Sequence, residues 1–460
     1  MKTAYPVYME ADVVVCGGGT AGSFAAIAAA EQGKKVLVIE QFGSLGGTAT
    51  LGLVTPVMHT YMRTNPQCSY IQKKLVEKQL KYASCNAQGN MFDPLALRLA
   101  LEELCVEAGV KLLYHTYIAG VEKEGDTVTA IRIVNKAGEQ LVKGKVFIDA
   151  TGDGDVSVMA GAGYTKGNPE TGINQPMSLR YILGGIDIPK AGEFMRSEAL
   201  RTGLGGASCD PDHPYTTLYG GGVASKPWAL TEWFDAGIAS GELEEMDKAY
   251  WQVFTIPGRK DGLAFNCPEF FENIDATNPD DLTISQLKGK KAIFRQLMYY
   301  RKHFPGFENA YVAEISALVG IRESREIQTE YVISAVDLYA QRKFDDMFCQ
   351  SNYPIDVHGK AHNCSFDGIE KDEARPWYDI PYRSIVVKGV DNLLVAGRCL
   401  GAEFIVQSSL RVQHSVRSSG EAAGIAACMA IDAGVPAREI DGKKVREAMI
   451  SLGADYQDLD

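Results

Sequence analysis

The chain has 460 residues, 46% of them hydrophobic and 23% charged, which is ordinary globular material with room for two or three domains. A formal net charge of −12 with no long basic run argues against nucleic acid and anionic membranes as partners. No apolar segment reaches the roughly 18 residues of a bilayer span, and residues 1–9 lack the apolar stretch of a signal peptide, so a cytoplasmic protein is expected.

Asp12-Val13-Val14-Val15-Cys16 is a short apolar run of the kind buried in a parallel sheet. Gly17-Gly18-Gly19-Thr20-Ala21-Gly22 follows it in the pattern GxGxxG. Ser23–Glu31 then reads as a helix ended by Gly33, and Lys35–Ile39 as a second strand stopping at Glu40. Strand, glycine turn, helix and an acid about 20 residues on are the context that makes this pattern a dinucleotide site. Gly17 permits the tight turn, Gly19 admits a pyrophosphate to the backbone, and Gly22 lets helix and strand pack closely. The phosphates would meet the free N–H groups at the helix start, and Glu40 would accept from a ribose diol. A glycine-rich turn in an ordinary βαβ unit is the alternative. Alone, the stretch leaves NAD and FAD both open.

Beyond Glu40, the loop Gln41 to Thr48 carries Gly46-Gly47, either a plain turn or a place where backbone passes against a flat cofactor. A helical segment is expected over Tyr70–Tyr82. A second should run from Pro94, capped by Asp93, through Ala108, with Gly109 as its stop. Val110–Tyr114 reads as a strand. Ile118–Val121, Val128–Val134 and Gln140–Val142 read as a small antiparallel meander. Lys145–Asp149 is another buried strand, ending in Ala150-Thr151-Gly152 where a cofactor edge can lie. From Gly163 to Trp377 glycines, prolines and aromatics are frequent. Gly203 to Gly206 and Gly220 to Gly222 read there as loops, and Asp281–Lys302 and Glu308–Glu330 as helices. Leu393 to Gly397 is a third buried strand, and Ser409–Val412 leads into a helix rich in small residues.

An NAD dehydrogenase has no reason to return near its C-terminus with another glycine-ended strand and a small-residue helix. Asp12 to Thr48, Lys145 to Asp155 and Leu393 to Gly424 would close into one site if a single long cofactor ran across the sheet, which fits FAD. These motifs, with Gly320-Ile321-Arg322-Glu323-Ser324-Arg325, Tyr353 to His358 and Asp379-Ile380-Pro381-Tyr382-Arg383, resemble the glutathione-reductase-like FAD-dependent oxidoreductases. The resemblance is nearest to the branch related to the flavin-bearing chain of heterodisulfide reductase. It covers nearly the whole chain in order. It departs in one respect: the ten cysteines form no CxxC pair and no cluster for iron–sulfur centres.

The resemblance implies that Gly17, Gly19, Thr20, Ala21 and Gly22 hold the pyrophosphate and Glu40, beside Gln41, the adenosine ribose. It places Gly46, Gly47 and Thr48 by the ribityl chain and flavin, and Ala150, Thr151 and Gly152 against the dinucleotide. Gly397 and Arg398 close the returning strand, and Arg411 and Val412 bring a helix start to the flavin pyrimidine ring. The expected fold is α/β: a Rossmann-like FAD-binding domain of the glutathione-reductase type, formed by residues 1–162 and 378–435. A mixed α+β substrate domain is inserted at 163–377, and 436–460 form a peripheral tail. The expected function is flavin-mediated oxidation or reduction of a small organic substrate with an external electron donor or acceptor. A homo-oligomer is left open. The alternatives are an electron-transfer flavoprotein within a larger redox complex and a purely NAD-binding module.

Five residues are catalytic candidates. Arg411 could stabilise negative charge on a reduced flavin or pair with an acid. His414, one turn beyond, could be an acid–base group or a packed histidine. His59 follows the Gly-Gly loop. His358 has i, i+4 spacing with His362, and Cys364 follows, but Pro354 and Gly359 make a helical metal pair a poor reading, so no metal is expected and His358 is read as facing substrate. Arg383 could bind an anionic substrate or brace the sheet. Arg322, Glu323 and Arg325 read as a buried ion-pair network between domains.

Overall fold

The computed structural model describes residues 5–58 and 68–457. Its organising element is a five-stranded parallel sheet. Leu393–Val395 lies at one edge, followed by Val146–Asp149, Val13–Cys16, Val36–Ile39 and Lys111–Leu113. Val13–Cys16, Val36–Ile39 and Val146–Asp149 are buried at every position, as strands covered on both faces must be. The three stretches expected to meet are therefore neighbours in one sheet, although Leu393–Val395 enters it from far along the chain.

The helix Thr20–Glu31 and the long helix Gln413–Ala433 pack against each other at backbone distance. A Cβ on Gly420 would lie 2.1 Å from the Ala21 carbonyl oxygen, and one on Gly424 2.3 Å from that of Ala25. The small residues of the C-terminal helix thus serve a helix–helix contact. Pro94–Glu107 is capped as expected, Asp93 accepting from the Leu95 N–H at 2.8 Å. The meander gains a fourth strand that no periodicity marked: Val7–Glu10 pairs parallel to Gly138–Lys143.

A second sheet of six antiparallel strands forms the other half of the molecule, in the order Ala207–Ser208, Tyr219–Val223, Tyr250–Thr255, Leu263–Phe265, Tyr181–Gly184, Tyr311–Ile315. Behind it lies an aromatic core in which Tyr181 stacks on Phe265 at 4.7 Å and Trp228 on Trp251 at 5.4 Å. Two sequence expectations fail here. Gly220 to Gly222 form a strand, because the chain passes directly over two indoles. A Cβ on Gly222 would lie 2.0 Å from the Trp228 ring, and one on Gly220 2.5 Å from that of Trp251. Glu308–Glu330 is not a helix. Tyr311–Ile315 is an edge strand, and beyond Gly320 the chain runs extended so that successive charged side chains reach different segments.

Residues 436–460, expected to be peripheral, include the helix Gly442–Leu452, whose Val445 and Met449 enter the main core. Among the described residues no helix is long and apolar enough to cross a membrane.

Candidate functional site

One cavity of about 1130 Å³ opens at the carboxyl ends of the parallel strands and continues to the antiparallel sheet. That exceeds the roughly 300–1,000 Å³ usual for a single drug-sized ligand. Every cofactor-binding candidate except Gly22 and Gly46 lines it.

Its first end is built from backbone. Gly17 has φ +96°, and a Cβ there would meet the Ala150 carbonyl oxygen at 2.5 Å. The helix Thr20–Glu31 begins without a side-chain cap, so its first N–H groups are free to meet an anion. Gly47 faces Gly19 across the cradle, where a Cβ would come within 2.9 Å of the Gly19 Cα. The two loops are tied by Gly46 N–H donating to the Gly18 carbonyl at 2.9 Å and by the Thr20 hydroxyl donating to that of Gly46 at 3.0 Å. Gly22 and Gly46 do not themselves line the cavity. A Cβ on Gly22 would lie 1.8 Å from the Gly17 carbonyl oxygen, and Gly46, at φ +95°, holds the left-handed turn.

Glu40 accepts from the Gly18 N–H at 2.7 Å and the Phe42 N–H at 2.9 Å. Burial pushes its carboxyl upward, against the pull of these donors. Each oxygen keeps a second lone pair for a ribose hydroxyl. Asp149, fully buried, accepts from Thr151 and Ser157 and so sets the turn after its strand. Arg398 donates to Asp153 and to the Ser324 hydroxyl, both at 2.8 Å. The glycine turn, open backbone donors and buried acid fit an FAD dinucleotide.

The far end is polar. On the strand Tyr250–Thr255, Trp251 and Val253 enter the aromatic core while Tyr250, Gln252 and Phe254 line the cavity. His358 lies edge-on to the Tyr250 ring at 5.1 Å, with its Nδ1 2.8 Å from Glu269. Arg322 meets the same carboxylate at 2.8 Å and donates to the Pro176 carbonyl. Burial opposes the charge on Glu269, but Arg322 and His358 together hold its carboxyl below the usual range. Burial and then Arg322 depress His358, against the pull of Glu269, so its imidazole is neutral near pH 7. Arg411 donates to the Asp356 carbonyl at 2.9 Å and reaches its carboxylate at 3.4 Å. Val412 is the cap residue of the helix Gln413–Ala433, another start with no side-chain cap.

The remaining catalytic candidates lie elsewhere. His414 is 2% exposed and outside the cavity lining, its Nε2 2.9 Å from the Gln350 carbonyl oxygen and 3.5 Å from Cys349 Sγ. It groups with Cys68 and Cys349, their ligand atoms within 4.8 Å of one another, an association no sequence spacing signals. Arg383 pairs with Asp346 at 2.9 Å, is half-exposed and does not line the cavity. His59 lies outside the described residues. The charged group of Gly320 to Arg325 does join separate segments: Glu323 accepts from the Gly167 and Gln175 N–H groups, and Arg325 pairs with Asp155.

Sequence reasoning missed Arg180, Tyr250 and Glu269. They come from the entry to the strand Tyr181–Gly184, from the strand Tyr250–Thr255 and from the short strand Glu269–Phe270, and nothing local marks them.

The sequence model of the family described as "FAD dependent oxidoreductase" matches residues 12–449. Two curated relatives are digeranylgeranylglycerophospholipid reductases. That of Methanocaldococcus jannaschii is 30% identical over 156 residues, covering 31% of this chain and 38% of its own. That of Methanosarcina acetivorans is 28% identical over 207 residues, covering 42% of this chain and 49% of its own. The matches thus span less than half the length of either relative. Among solved structures, a geranylgeranyl bacteriochlorophyll reductase-like protein from Thermoplasma acidophilum matches 96% of this chain and 83% of its own, at 16% identity and a TM-score of 0.44.

Proposed function

Because this chain belongs to the FAD-dependent oxidoreductase family, we propose that it holds FAD extended along the cavity and oxidises or reduces a small organic substrate at the polar far end. The observation that carries this reading is the continuity of one cavity from the glycine turn to Arg411, Tyr250 and His358. On this reading residues 1–162 and 378–435 form the FAD-binding domain of the glutathione-reductase type, with a substrate domain inserted at 163–377.

The bound flavin would supply electron or hydride transfer, and the protein supplies position and charge. Glu40 and the Thr20–Glu31 helix start hold the adenosine and phosphates. The uncapped start of Gln413–Ala433 directs its dipole at the cavity, where it favours negative charge. The antiparallel sheet contributes Tyr250, Gln252 and Phe254 to the cavity wall. His358, neutral and seated against Glu269, can take or return a proton at Nε2. A cavity end lined by Arg180, Tyr250, Gln252 and His358 supports a substrate of the chain's own over a pure electron-transfer role.

The test is to purify the protein, add FAD, remove the excess and record the flavin spectrum. The holoprotein is then mixed anaerobically with a metabolite library. Stoichiometric retained flavin and bleaching or reoxidation by a small molecule are expected. A protein that retains no flavin would sink the reading.

A further inference from the structure

The polar end of the cavity carries an imbalance of charge. Three guanidiniums, those of Arg180, Arg322 and Arg411, line it together. Arg322 is matched by Glu269 at 2.8 Å and Arg411 by Asp356 at 3.4 Å. Arg180, at the entry to the strand Tyr181–Gly184, has no side-chain hydrogen bond and no ion pair among the described residues. Among the described residues other buried polar atoms nearby also have no hydrogen-bond partner: the Nε of Arg411, the side-chain oxygen of Asn266, and both carboxylate oxygens of Glu269, which keeps its ion contacts to Arg322 and His358.

An unpaired, half-buried guanidinium is costly, because neither water nor an acid fully offsets its desolvation. Here the cost is raised by two like neighbours. Burial first, and then Arg322 and Arg411, press Arg180 down to about 9, and Tyr250 offsets only part of this. Arg322 and Arg411 are structural in the sense that their acids already hold them. Among the described residues Arg180 has no such acid.

We propose that Arg180, assisted by the free Nε of Arg411, binds the carboxylate of a monoanionic organic acid, which is the substrate of the flavin site. The single uncompensated positive charge matches one carboxylate. A guanidinium also offers the planar fork that a carboxylate takes up in bidentate fashion. Asn266, Gln252 and Tyr250 line the adjoining wall and would meet the polar remainder of the acid. Fixing one end of the substrate at Arg180 orients the rest along the wall that includes His358. This inference rests on the proposed flavin function and assigns its substrate class.

The experiment uses the FAD-loaded protein. Acetate, butyrate and benzoate, their amides and inorganic phosphate are titrated separately while the visible flavin spectrum is followed. The acids should perturb the spectrum at concentrations at least tenfold below those of the amides. Arg180→Gln should abolish that preference and Arg180→Lys should retain part of it, both with normal flavin content. Equal binding of acids and amides, or no response to any acid, would overturn the proposal. So would phosphate binding in place of the acids. If Arg180→Gln lowers flavin affinity and leaves the preference for acids intact, the guanidinium serves the cofactor and the proposal fails. A wild-type protein without flavin would instead reject the functional reading beneath it.

Discussion

Glu40 shows how much one side chain carries in this molecule. Its two carboxylate oxygens fix the Gly18 and Phe42 amides, and so hold the phosphate turn and the loop after the second strand in one geometry. Glu40→Gln keeps the size but turns one acceptor into a donor facing an N–H group. The apoprotein should lose about 1.5–3 kcal/mol in urea unfolding, the range for hydrogen bonds to charged groups, and FAD should be retained poorly. Equal stability and flavin content would show that the carboxylate is dispensable. Residues of this kind were legible in sequence because their role is local: Gly17, Gly19 and Glu40 sit within one strand–helix–strand unit. Arg180 and Glu269 were not, since their meaning depends on what other strands bring beside them.

At the scale of elements, the long helix Gln413–Ala433 does more than cover the sheet. Its Glu421, fully buried, accepts from the Ser69 hydroxyl at 2.6 Å and from the Tyr70 and Ile71 amides, and so anchors the start of the helix Tyr70–Lys81. Burial pushes its carboxyl from 4.5 up to about 7. The folded state therefore binds this proton more tightly than the unfolded chain. The associated stability is intact below pH 4.5 and is lost as pH rises through about 7, a change of about 3 kcal/mol. Urea unfolding at pH 5 and pH 8 should show wild type losing more stability than Glu421→Gln over that interval; identical losses would refute it. Elements with strong local signals, such as the capped helix Pro94–Glu107, were readable within a residue or two. The strand Tyr219–Val223 was not, because its glycines answer to Trp228 and Trp251, which are supplied by other segments.

At the scale of the whole molecule, the cavity borrows walls from two hydrophobic cores, one around the parallel sheet and one behind the antiparallel sheet. A ligand that spans both stabilises both. FAD at a free concentration about 100 times its Kd should add about 2.7 kcal/mol to the unfolding free energy. In calorimetry, any separate transitions of the two halves should move up together. If only one transition shifts, FAD does not bridge the halves. The sequence pointed to the joining of three distant stretches by a long cofactor because each stretch ends in small residues. It did not reveal the strand and extended segment within Glu308–Glu330, whose mixed charges mimic a helix but tie separate segments together.

The place of Leu393–Val395 in the parallel sheet also bears on biosynthesis. During translation the first βαβ unit leaves the ribosome long before the strand that completes its sheet and the helix that packs on Ala21 and Ala25. The nascent chain must carry the apolar flank of Thr20–Glu31 uncovered until the helix Gln413–Ala433 emerges, a state that favours chaperone engagement. The cavity, whose lining includes both Gly17 and Gly397, is complete only once that returning strand is in place.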